Sequence, residues 1–440
     1  MQGTGEVRVY SARSTSAPSR KVAGKLGKRK RTLTMDTLVL GVFIAVYLGM
    51  ILGRIPGLAI DRTGVALLGA IILLGAGALS PDEARDALDV PTMGLLFGLM
   101  VVSAQFRLGG FYTAVTRRIA AIDVQPALLL GLLAALVGLL SALLCNDIVC
   151  LAVAPILIEG CRRRNLDPLP FLLALACAAN VGSAATLIGN PQNMLIGQTL
   201  NLSFAGYFAR AAAPTALGLV AVWAIICALT RGRWHREFAI PKIDAPTFNR
   251  WQCGKGLAVL VLLVVAFFFT ALPREVLALA AAGALLTSRR MHTRNMLALV
   301  DWHLLVLFAG LFVVNRAFQQ TGMLDVTMTW MRDAGAPIEQ PAWLFIVAAA
   351  LSNLVSNVPA TMLLLPAATH PLAGPILALA STLAGNLIIV GSIANIIVVD
   401  QAERLGVRVS WLDHARVGVP VTLVTLAIAA VCLWLQAPSV

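Results

Sequence analysis

Four short polar clusters interrupt the apolar stretches of this sequence, and they carry the groups that could bind a small solute. They are Cys145-Asn146-Asp147, Gly189-Asn190-Pro191-Gln192-Asn193, Ser356-Asn357-Val358-Pro359 and Gly391-Ser392-Ile393-Ala394-Asn395. Because proline removes a backbone amide and glycine permits unusual dihedral angles, the clusters predict breaks in helices. Unpaired amides at helix N-termini suit an anion, whereas free carbonyls and amide side chains suit a small cation.

In hydrocarbon, an unwound backbone is tolerated only where protein covers it or where it lines a wet cavity, so four such breaks imply a shared interior site. We expect this site to bind a substrate together with a coupling ion. Its candidate residues are Asn146, Asp147, Gly189, Asn190, Asn193, Ser356, Asn357, Gly391, Ser392 and Asn395.

Asp147 is the one of the 21 acidic residues that stands midway along an apolar stretch. Inserting an ionisable group there into a membrane costs about 2.5–3.5 kcal/mol of free energy on insertion scales, and so unfavourable a placement indicates a function. We expect Asp147 to be the coupling carboxylate, which either takes up and releases a proton or ligates sodium together with Asn146. The alternative is a structural hydrogen-bond acceptor that caps a helix.

The sequence predicts no cofactor and no structural metal. The five histidines show no metal-ligand spacing, and the seven cysteines show no clustered spacing of the kind that marks a zinc site or a disulfide framework. Cys145 and Cys150 flank Asp147, but tight thiolate capture would impede release of a substrate such as arsenite. We interpret both as packing residues.

The composition predicts that lipid is the solvent of this chain. Of its 440 residues, 59% are hydrophobic and 12% are charged, and the mean hydropathy is +0.84. Apolar runs of spanning length recur at residues 38–53, 63–79, 91–106, 168–200, 206–230, 255–271, 275–288, 303–317, 372–399 and 415–435. Two further runs, 126–160 and 342–367, are interrupted midway and predict re-entrant helical hairpins. The fold class is therefore an all-α polytopic membrane protein with about ten transmembrane helices and two re-entrant hairpins.

The two halves of the chain resemble each other weakly. At an offset of about 211 residues Asp89 aligns with Asp301 and Asn146 with Asn357, and at an offset of 202 Gly189 aligns with Gly391. Each half has five spans and one hairpin, and an odd number of crossings inverts the second copy. We expect one inverted repeat over 36–232 and another over 255–440, joined by a cytoplasmic linker at 233–254. The hairpin at 126–160 then opens inward and that at 342–367 outward.

The basic residues predict the sidedness. Loops on one side of this topology hold 20 of the 34 lysines and arginines, and only five lie elsewhere outside the N-terminal tail. That side is expected to be the cytoplasm, with the chain in the plasma (inner) membrane. The tail, residues 1–35, is basic and predicted to be disordered, and it falls on the wrong side. We expect translation in the cell to begin at Met35; the alternative is a genuine tail with a different topology.

The segments SALLCNDIVCLAVAPILIEGCRRR, ANVGSAATLIGNPQNMLIG, VDWHLLVLFAGLFVV and LSNLVSNVPATMLLLP resemble the arsenical-pump (ArsB) and NhaD-type branch of the ion transporter superfamily. Relatives of this branch include the divalent-anion and citrate symporters. The resemblance extends over residues 36–435. It implies a scaffold domain that supports contacts in a homodimer and a transport domain that moves like an elevator.

The resemblance also allows the hairpin tips to be compared. In the divalent-anion symporters, each tip is a Ser-Asn-Thr triplet that binds sodium and substrate carboxylates. The matching positions here end in Asp147 and in Val358, so the threonine hydroxyl is replaced in both copies. This departure weakens the case for two sodium sites and for a dicarboxylate. An aspartate at the first tip resembles the arsenite and sodium/proton branch.

The favoured hypothesis is a permease for an inorganic anion, a small organic anion or an arsenite-like oxyacid, coupled to protons or sodium. A sodium/proton antiporter is the alternative, with Asp147 as the exchange site. An enzyme is not expected, because the sequence has no HExxH motif and no paired intramembrane aspartates. The expected partners are the small solute, the bilayer and a second copy of the chain. Nucleic acid is not expected, since the basic residues follow the loops and the tail.

Overall fold

The computed structural model describes residues 20–53, 59–236, 246–288 and 291–436, with side chains from residue 34 onward. These residues form helices joined by turns, and an isolated bridge between Leu166 and His235 is the one β contact among them. The predicted all-α class is confirmed.

Twenty α-helices occur among the described residues, and many begin at a polar N-cap or at proline. They are α1 (Arg20–Leu52), α2 (Arg62–Gly75), α3 (Pro81–Ala87), α4 (Val90–Leu108), α5 (Phe111–Ala120), α6 (Pro126–Leu143), α7 (Asn146–Arg163), α8 (Pro168–Ser183), α9 (Pro191–Thr199), α10 (Phe204–Thr230), α11 (Arg250–Phe269), α12 (Arg274–Leu286), α13 (Thr293–Leu297), α14 (Trp302–Gln320), α15 (Met323–Asp333), α16 (Pro341–Val355), α17 (Asn357–Leu364), α18 (Ala373–Ala384), α19 (Ile393–Arg404) and α20 (Trp411–Leu435).

The ten predicted spans and two hairpins correspond to these helices. The first hairpin is α6–α7, and the second is α16–α17 with a 3₁₀ turn at Leu365–Ala367. Two of the predicted spans are each divided in two. We call residues 184–190, between α8 and α9, the first break and residues 385–392, between α18 and α19, the second break. Within the described part of the chain, seven helices are long and apolar enough to cross a membrane by themselves, and five shorter helices are also apolar.

The N-terminal tail differs from its prediction. Residues 1–19 of the tail and residues 237–245 of the predicted linker lie outside the described residues. α1 begins at Arg20, so residues 20–35 are helical rather than disordered. Lysine and arginine dominate that segment and are good helix formers, and extending a helix that packing already holds needs no new nucleus. α11 begins at Arg250, inside the predicted linker.

Helices α1–α10 and α11–α20 form two halves that match element by element. Asp89 and Asp301 cap α4 and α14 with the same backbone angles, φ −79° and ψ 83°. Gly110 and Gly322 precede α5 and α15 in the left-handed conformation, both with φ of 71°. Each half has five spans, one of them divided, and a hairpin, so the predicted inverted repeats are confirmed.

The two halves pack through equivalent helix pairs. α4 of the first half lies against α12 of the second, and α14 of the second half lies against α2 of the first. A methyl group added at Gly98 would lie 2.6 Å from the carbonyl carbon of Ala278, and one at Gly310 would lie 2.8 Å from that of Ala66. Both contacts therefore depend on glycine, because backbone approaches backbone there.

The loops lie at two opposite ends of the molecule. At one end the Asp167 amide donates to the Trp234 carbonyl (2.7 Å) and Arg162 donates to the Leu405 carbonyl (2.8 Å). At the other, Arg210 donates to the Pro371 carbonyl at 3.5 Å. α10 runs from near the second end to the first, a rise of about 40 Å for its 27 residues. Residues 161–168 and 400–416 therefore lie opposite residue 371, as inversion requires.

The helices form two groups. We call α1, α2, α4, α11, α12 and α14 the framework helices, and α6–α10 with α16–α20 the site helices, because each group packs mainly within itself. Large apolar side chains on the outside remain exposed, among them Leu262 (69%) and Phe269 (81%). Such a surface is suited to lipid rather than to water.

Candidate functional site

The four polar clusters meet at one cavity among the site helices. α7 and α17 begin at the two hairpin tips, and α9 and α19 begin directly after the two breaks. The cavity has a volume of about 30 Å³, which is space for roughly two water molecules. Six predicted site residues line it: Asn146, Asp147, Asn190, Ser356, Asn357 and Ser392. Four helix N-termini, each with partial positive charge, therefore converge on it.

The remaining four predicted residues, Gly189, Asn193, Gly391 and Asn395, do not line the cavity. The side-chain amide of Asn193 donates to the Thr186 carbonyl (3.0 Å), and that of Asn395 donates to the Gly385 and Ile388 carbonyls (2.8 and 3.2 Å). Gly189 accepts a hydrogen bond from the Asn146 amide at 3.3 Å. These contacts fix the unwound backbone, so the geometry favours a positioning role over direct contact with a solute.

Gly189 is needed for the first break to fold as it does. A methyl group at this position would lie 2.2 Å from the Ser183 carbonyl oxygen. Such a distance is far shorter than van der Waals contact, so the chain can fold back on the end of α8 only if residue 189 lacks a side chain.

Asn180 and Thr382 cross-link the two repeats, and our sequence reasoning missed both. Asn180 at the end of α8 donates to the side chains of Asn395 (3.0 Å) and Asn386 (2.8 Å), and it accepts from the Ser392 hydroxyl (2.8 Å). Thr382 near the end of α18 accepts from the side chains of Asn190 (3.1 Å) and Gln192 (3.2 Å).

A sequence signal for these two residues does exist. Asn180 and Thr382 are separated by 202 residues, the same offset that relates Gly189 to Gly391, and each is a polar residue in an apolar run. A search for identical residues overlooks them because their types differ. A search for polarity at equivalent positions would have found them.

Asn357, at the tip of the second hairpin, has hydrogen-bond partners at both ends of its side-chain amide. Oriented to satisfy both ends of its amide, Asn357 donates to the Ser381 and Gly391 carbonyls, 3.2 Å from each, and accepts from Gln192 at 3.1 Å. It also contacts the Ser352 hydroxyl. This side chain joins the hairpin tip to the second break, as the Asn146 amide joins the first tip to the first break.

The tip of the first hairpin is not fully bonded. The side-chain oxygen Oδ1 of Asn146 and the oxygen Oδ1 of Asp147 are both buried and have no hydrogen-bond partner. Asp147 is the one ionisable side chain among the residues that line the cavity, and no lysine, arginine or histidine is among them. The site therefore offers two unpaired acceptor oxygens, which require a hydroxyl, a proton or a metal cation.

The geometry bears on two alternative roles considered from the sequence, namely Asp147 as a helix cap and Cys145 and Cys150 as thiol ligands. No side-chain hydrogen bond caps α7, whose N-cap is Cys145, so the capping role for Asp147 has no contact to support it. Cys145 and Cys150 are buried and free. Among the described residues, no three His, Cys, Asp or Glu side chains are grouped so as to hold a metal ion.

Comparison with known proteins agrees with this architecture. Residues 45–380 match the profile of the citrate transporter family, CitMHS. A Mycobacterium tuberculosis protein described as an uncharacterized transporter is 29% identical over 431 residues, which cover 91% of this chain and 99% of that protein. The rice silicon efflux transporter LSI3 is 29% identical over 470 residues, covering 90% and 96%.

A solved structure shares the fold. The YdaH transporter of Alcanivorax borkumensis, whose topology is described as unusual, superposes with a TM-score of 0.59 at 15% sequence identity. The superposition covers 92% of this chain and 98% of that one.

Proposed function

Because this chain belongs to the citrate transporter family, we propose that it carries a small oxyacid in its uncharged form across the membrane in exchange for protons. The chain is a multi-pass membrane transporter and not an enzyme. Arsenous acid and silicic acid are the representative substrates. Citrate is disfavoured, although it gives the family its name.

The pair of unpaired acceptors on Asn146 and Asp147 carries this proposal. An uncharged oxyacid presents hydroxyl groups that would donate to both oxygens, while its own oxygens accept from the amides of the converging helix N-termini. A polyanion would instead face the Asp147 carboxylate in a poorly screened interior without a cationic side chain to offset the repulsion.

Asp147 would couple the substrate to protons. When the substrate is bound, its hydroxyl donates to the ionised carboxylate and offsets the cost of burying that charge. When the substrate leaves, an empty ionised carboxylate would have to cross the bilayer, at a cost of about 2.5–3.5 kcal/mol. Uptake of one proton by Asp147 removes that charge, so the unloaded site returns in its neutral form. One proton then moves in the direction opposite to each substrate molecule.

The movement we propose is an elevator displacement of the site helices against the framework helices. Both hairpins and both breaks belong to the site helices, so the cavity would travel as one unit. We place the protein in the plasma (inner) membrane with its basic loops in the cytoplasm, following the positive-inside rule, and as a homodimer through the framework helices.

Exchange across the membrane of proteoliposomes tests the proposal. We expect the protein to exchange internal arsenous or silicic acid for external protons, with flux increasing with the inward proton gradient, and to leave labelled citrate outside. The relative LSI3 is named for silicon efflux, which makes silicic acid a pertinent probe. Citrate uptake at a rate equal to that of the two acids, or oxyacid flux indifferent to a proton gradient, would contradict the proposal.

A sodium/proton antiporter is the second candidate, and the size of the cavity favours it. A volume of about 30 Å³ suits a dehydrated ion without rearrangement, and the oxygens of Asn146 and Asp147 are suitable sodium ligands. The same proteoliposomes separate the candidates. Sodium-driven acidification without any oxyacid flux would establish the antiporter.

A further inference from the structure

We propose that Tyr207 and His414 are a symmetry-related pair of positioning residues, each of which holds one carbonyl of a break and thereby sets the shape of the transport cavity. The Tyr207 hydroxyl donates to the Ala184 carbonyl at 2.7 Å. The ring nitrogen Nε2 of His414 lies 3.0 Å from the Asn386 carbonyl oxygen, so it must carry the hydrogen. Both side chains are 2% exposed.

The two residues are equivalent in the repeats although their types differ. Tyr207 stands four residues after Ser203, which caps α10, and His414 stands four residues after Ser410, which caps α20. Their acceptors are equivalent as well, because Ala184 precedes Gly189 by five residues and Asn386 precedes Gly391 by five. Neither Tyr207 nor His414 lines the cavity, which distinguishes them from the residues that would touch the substrate.

The held carbonyls are connected to the cavity wall. Asn386 accepts from Asn180 through its side chain at 2.8 Å, and Asn180 in turn contacts Ser392 (2.8 Å) and Asn146 (3.5 Å), both of which line the cavity. On the other side, the Tyr207 hydroxyl lies 3.3 Å from the side-chain amide of Asn193, which fixes the first break. A break that loses its anchor would therefore displace groups that face the substrate.

An unpaired buried carbonyl is also unfavourable in itself. Loss of the donor leaves that carbonyl without its partner, which favours movement of the surrounding backbone toward water or toward the cavity. Tyr207 on α10 contacts the first break, whereas His414 on α20 contacts the second, so loss of either anchor acts first on its own break.

Hydrogen–deuterium exchange on the purified protein without substrate tests the anchors directly. In Tyr207→Phe we expect exchange to accelerate about tenfold at residues 184–190 and to stay unchanged at 385–392, with the reverse in His414→Phe. His414→Gln places an amide nitrogen near the position of Nε2 and should restore slow exchange at residues 385–392. Equal acceleration across both breaks, or none in the variant's own break, would overturn the inference.

Transport supplies the second readout, and here the inference rests on the proposed function. With arsenous acid as the probe, both phenylalanine variants should raise KM about tenfold and change the maximal rate less than about threefold, because the anchors shape the site without reacting. His414→Gln should restore KM. If the wild-type protein carries no arsenous acid, the proposed function fails, while the exchange measurement still decides whether the anchors exist.

Discussion

Asp147 and Val358 occupy equivalent positions at the two hairpin tips and differ in charge, and this difference gives the site one titratable group. Both residues line the cavity, and the asparagines that precede them are identical. The second tip is closed by hydrogen bonds through Asn357, whereas the first retains unpaired oxygens on Asn146 and Asp147. The repeat symmetry is therefore broken at the atoms that we propose to couple transport to protons.

Replacing Asp147 by asparagine should abolish proton-coupled transport without unfolding the protein. The amide keeps the shape of the carboxyl group but cannot exchange a proton at physiological pH. We expect the midpoint of thermal unfolding to change by less than about 4 °C, because no hydrogen bond of Asp147 Oδ1 is lost. Proton flux in proteoliposomes and thermal unfolding of the same preparation measure the two effects.

Asp325→Asn is the matched control, because it makes the same chemical change at an exposed residue of α15. It should leave proton-coupled flux as in the wild-type protein. Full proton-coupled flux in Asp147→Asn with unchanged pH dependence would show that Asp147 is not the coupling group.

Replacing Asn357 by alanine should cause a milder loss. The substitution removes donors to the Ser381 and Gly391 carbonyls and the acceptor for Gln192, so the second tip loosens, but the carboxylate of Asp147 remains. We expect KM for arsenous acid to rise about tenfold while transport stays dependent on the proton gradient. A variant with wild-type KM would indicate that Asn357 serves the fold alone.

The sequence identified six of the residues that line the candidate cavity, but it did not separate contact from support. Polar residues in apolar runs identified Asp147 and Asn357, because lipid makes such residues conspicuous. The same signal could not reveal that the side-chain amides of Asn193 and Asn395 donate to backbone carbonyls of the breaks, since that depends on how far the backbone unwinds. Tyr207 and His414 lie in other helices, and their spacing from the clusters carries no periodic signal.

The first break depends on close approach of backbone to backbone, and this dependence predicts the effect of a substitution at Gly189. In Gly189→Ala the new methyl group would meet the Ser183 carbonyl oxygen at 2.2 Å, and backbone cannot give way as a flexible side chain would. The substitution should destabilise the protein by about 3 kcal/mol and abolish transport. Thermal unfolding and arsenous acid flux measure these losses.

Gly283→Ala supplies the control for this expectation. Gly283 lies within α12, and a methyl group there would meet nothing within 4 Å. Alanine favours a helix interior over glycine by about 1 kcal/mol, so the control should be neutral or slightly stabilising. Equal damage in both variants would mean that the loss at residue 189 does not come from the contact with Ser183.

Hydrophobic runs predicted the long helices well and the short ones poorly. Residues 168–200 and 372–399 were each predicted as one span with an interruption, and each proved to be two helices, since α8 ends at Ser183 before α9 begins at Pro191, and α18 ends at Ala384 before α19 begins at Ile393. α5 and α15 were not predicted at all. They have 10 and 11 residues with several polar side chains, which is too short and too mixed to stand out from a loop.

The two repeats differ in how a framework helix contacts a site helix, and this difference predicts a second conformation of the molecule. Arg274 at the start of α12 donates to the Gly197 carbonyl near the end of α9 at 2.7 Å, which ties a framework helix to a site helix. The equivalent residue of the first half, Arg62 at the start of α2, has its Nε buried without a hydrogen-bond partner. Its equivalent acceptor region is Val399–Asp400 in α19, 202 residues after Gly197–Gln198.

If the repeats exchange conformations as the site helices move, Arg274 releases α9 and Arg62 reaches α19, because inverted repeats adopt each other's arrangement in the opposite state. The double variant Arg274→Cys with Gln198→Cys should then be joined by a bifunctional thiol reagent of arginine length in the state described here, because the Arg274 guanidinium reaches the carbonyl of the neighbouring Gly197. Arg62→Cys with Asp400→Cys should be joined by the same reagent only in the alternate state, and each cross-link should stop arsenous acid exchange. Arg62→Cys with Gln198→Cys places the two thiols at opposite ends of the molecule and should never cross-link. A transporter that works while the Arg62–Asp400 pair fails to cross-link would mean that the site helices do not make the symmetric movement.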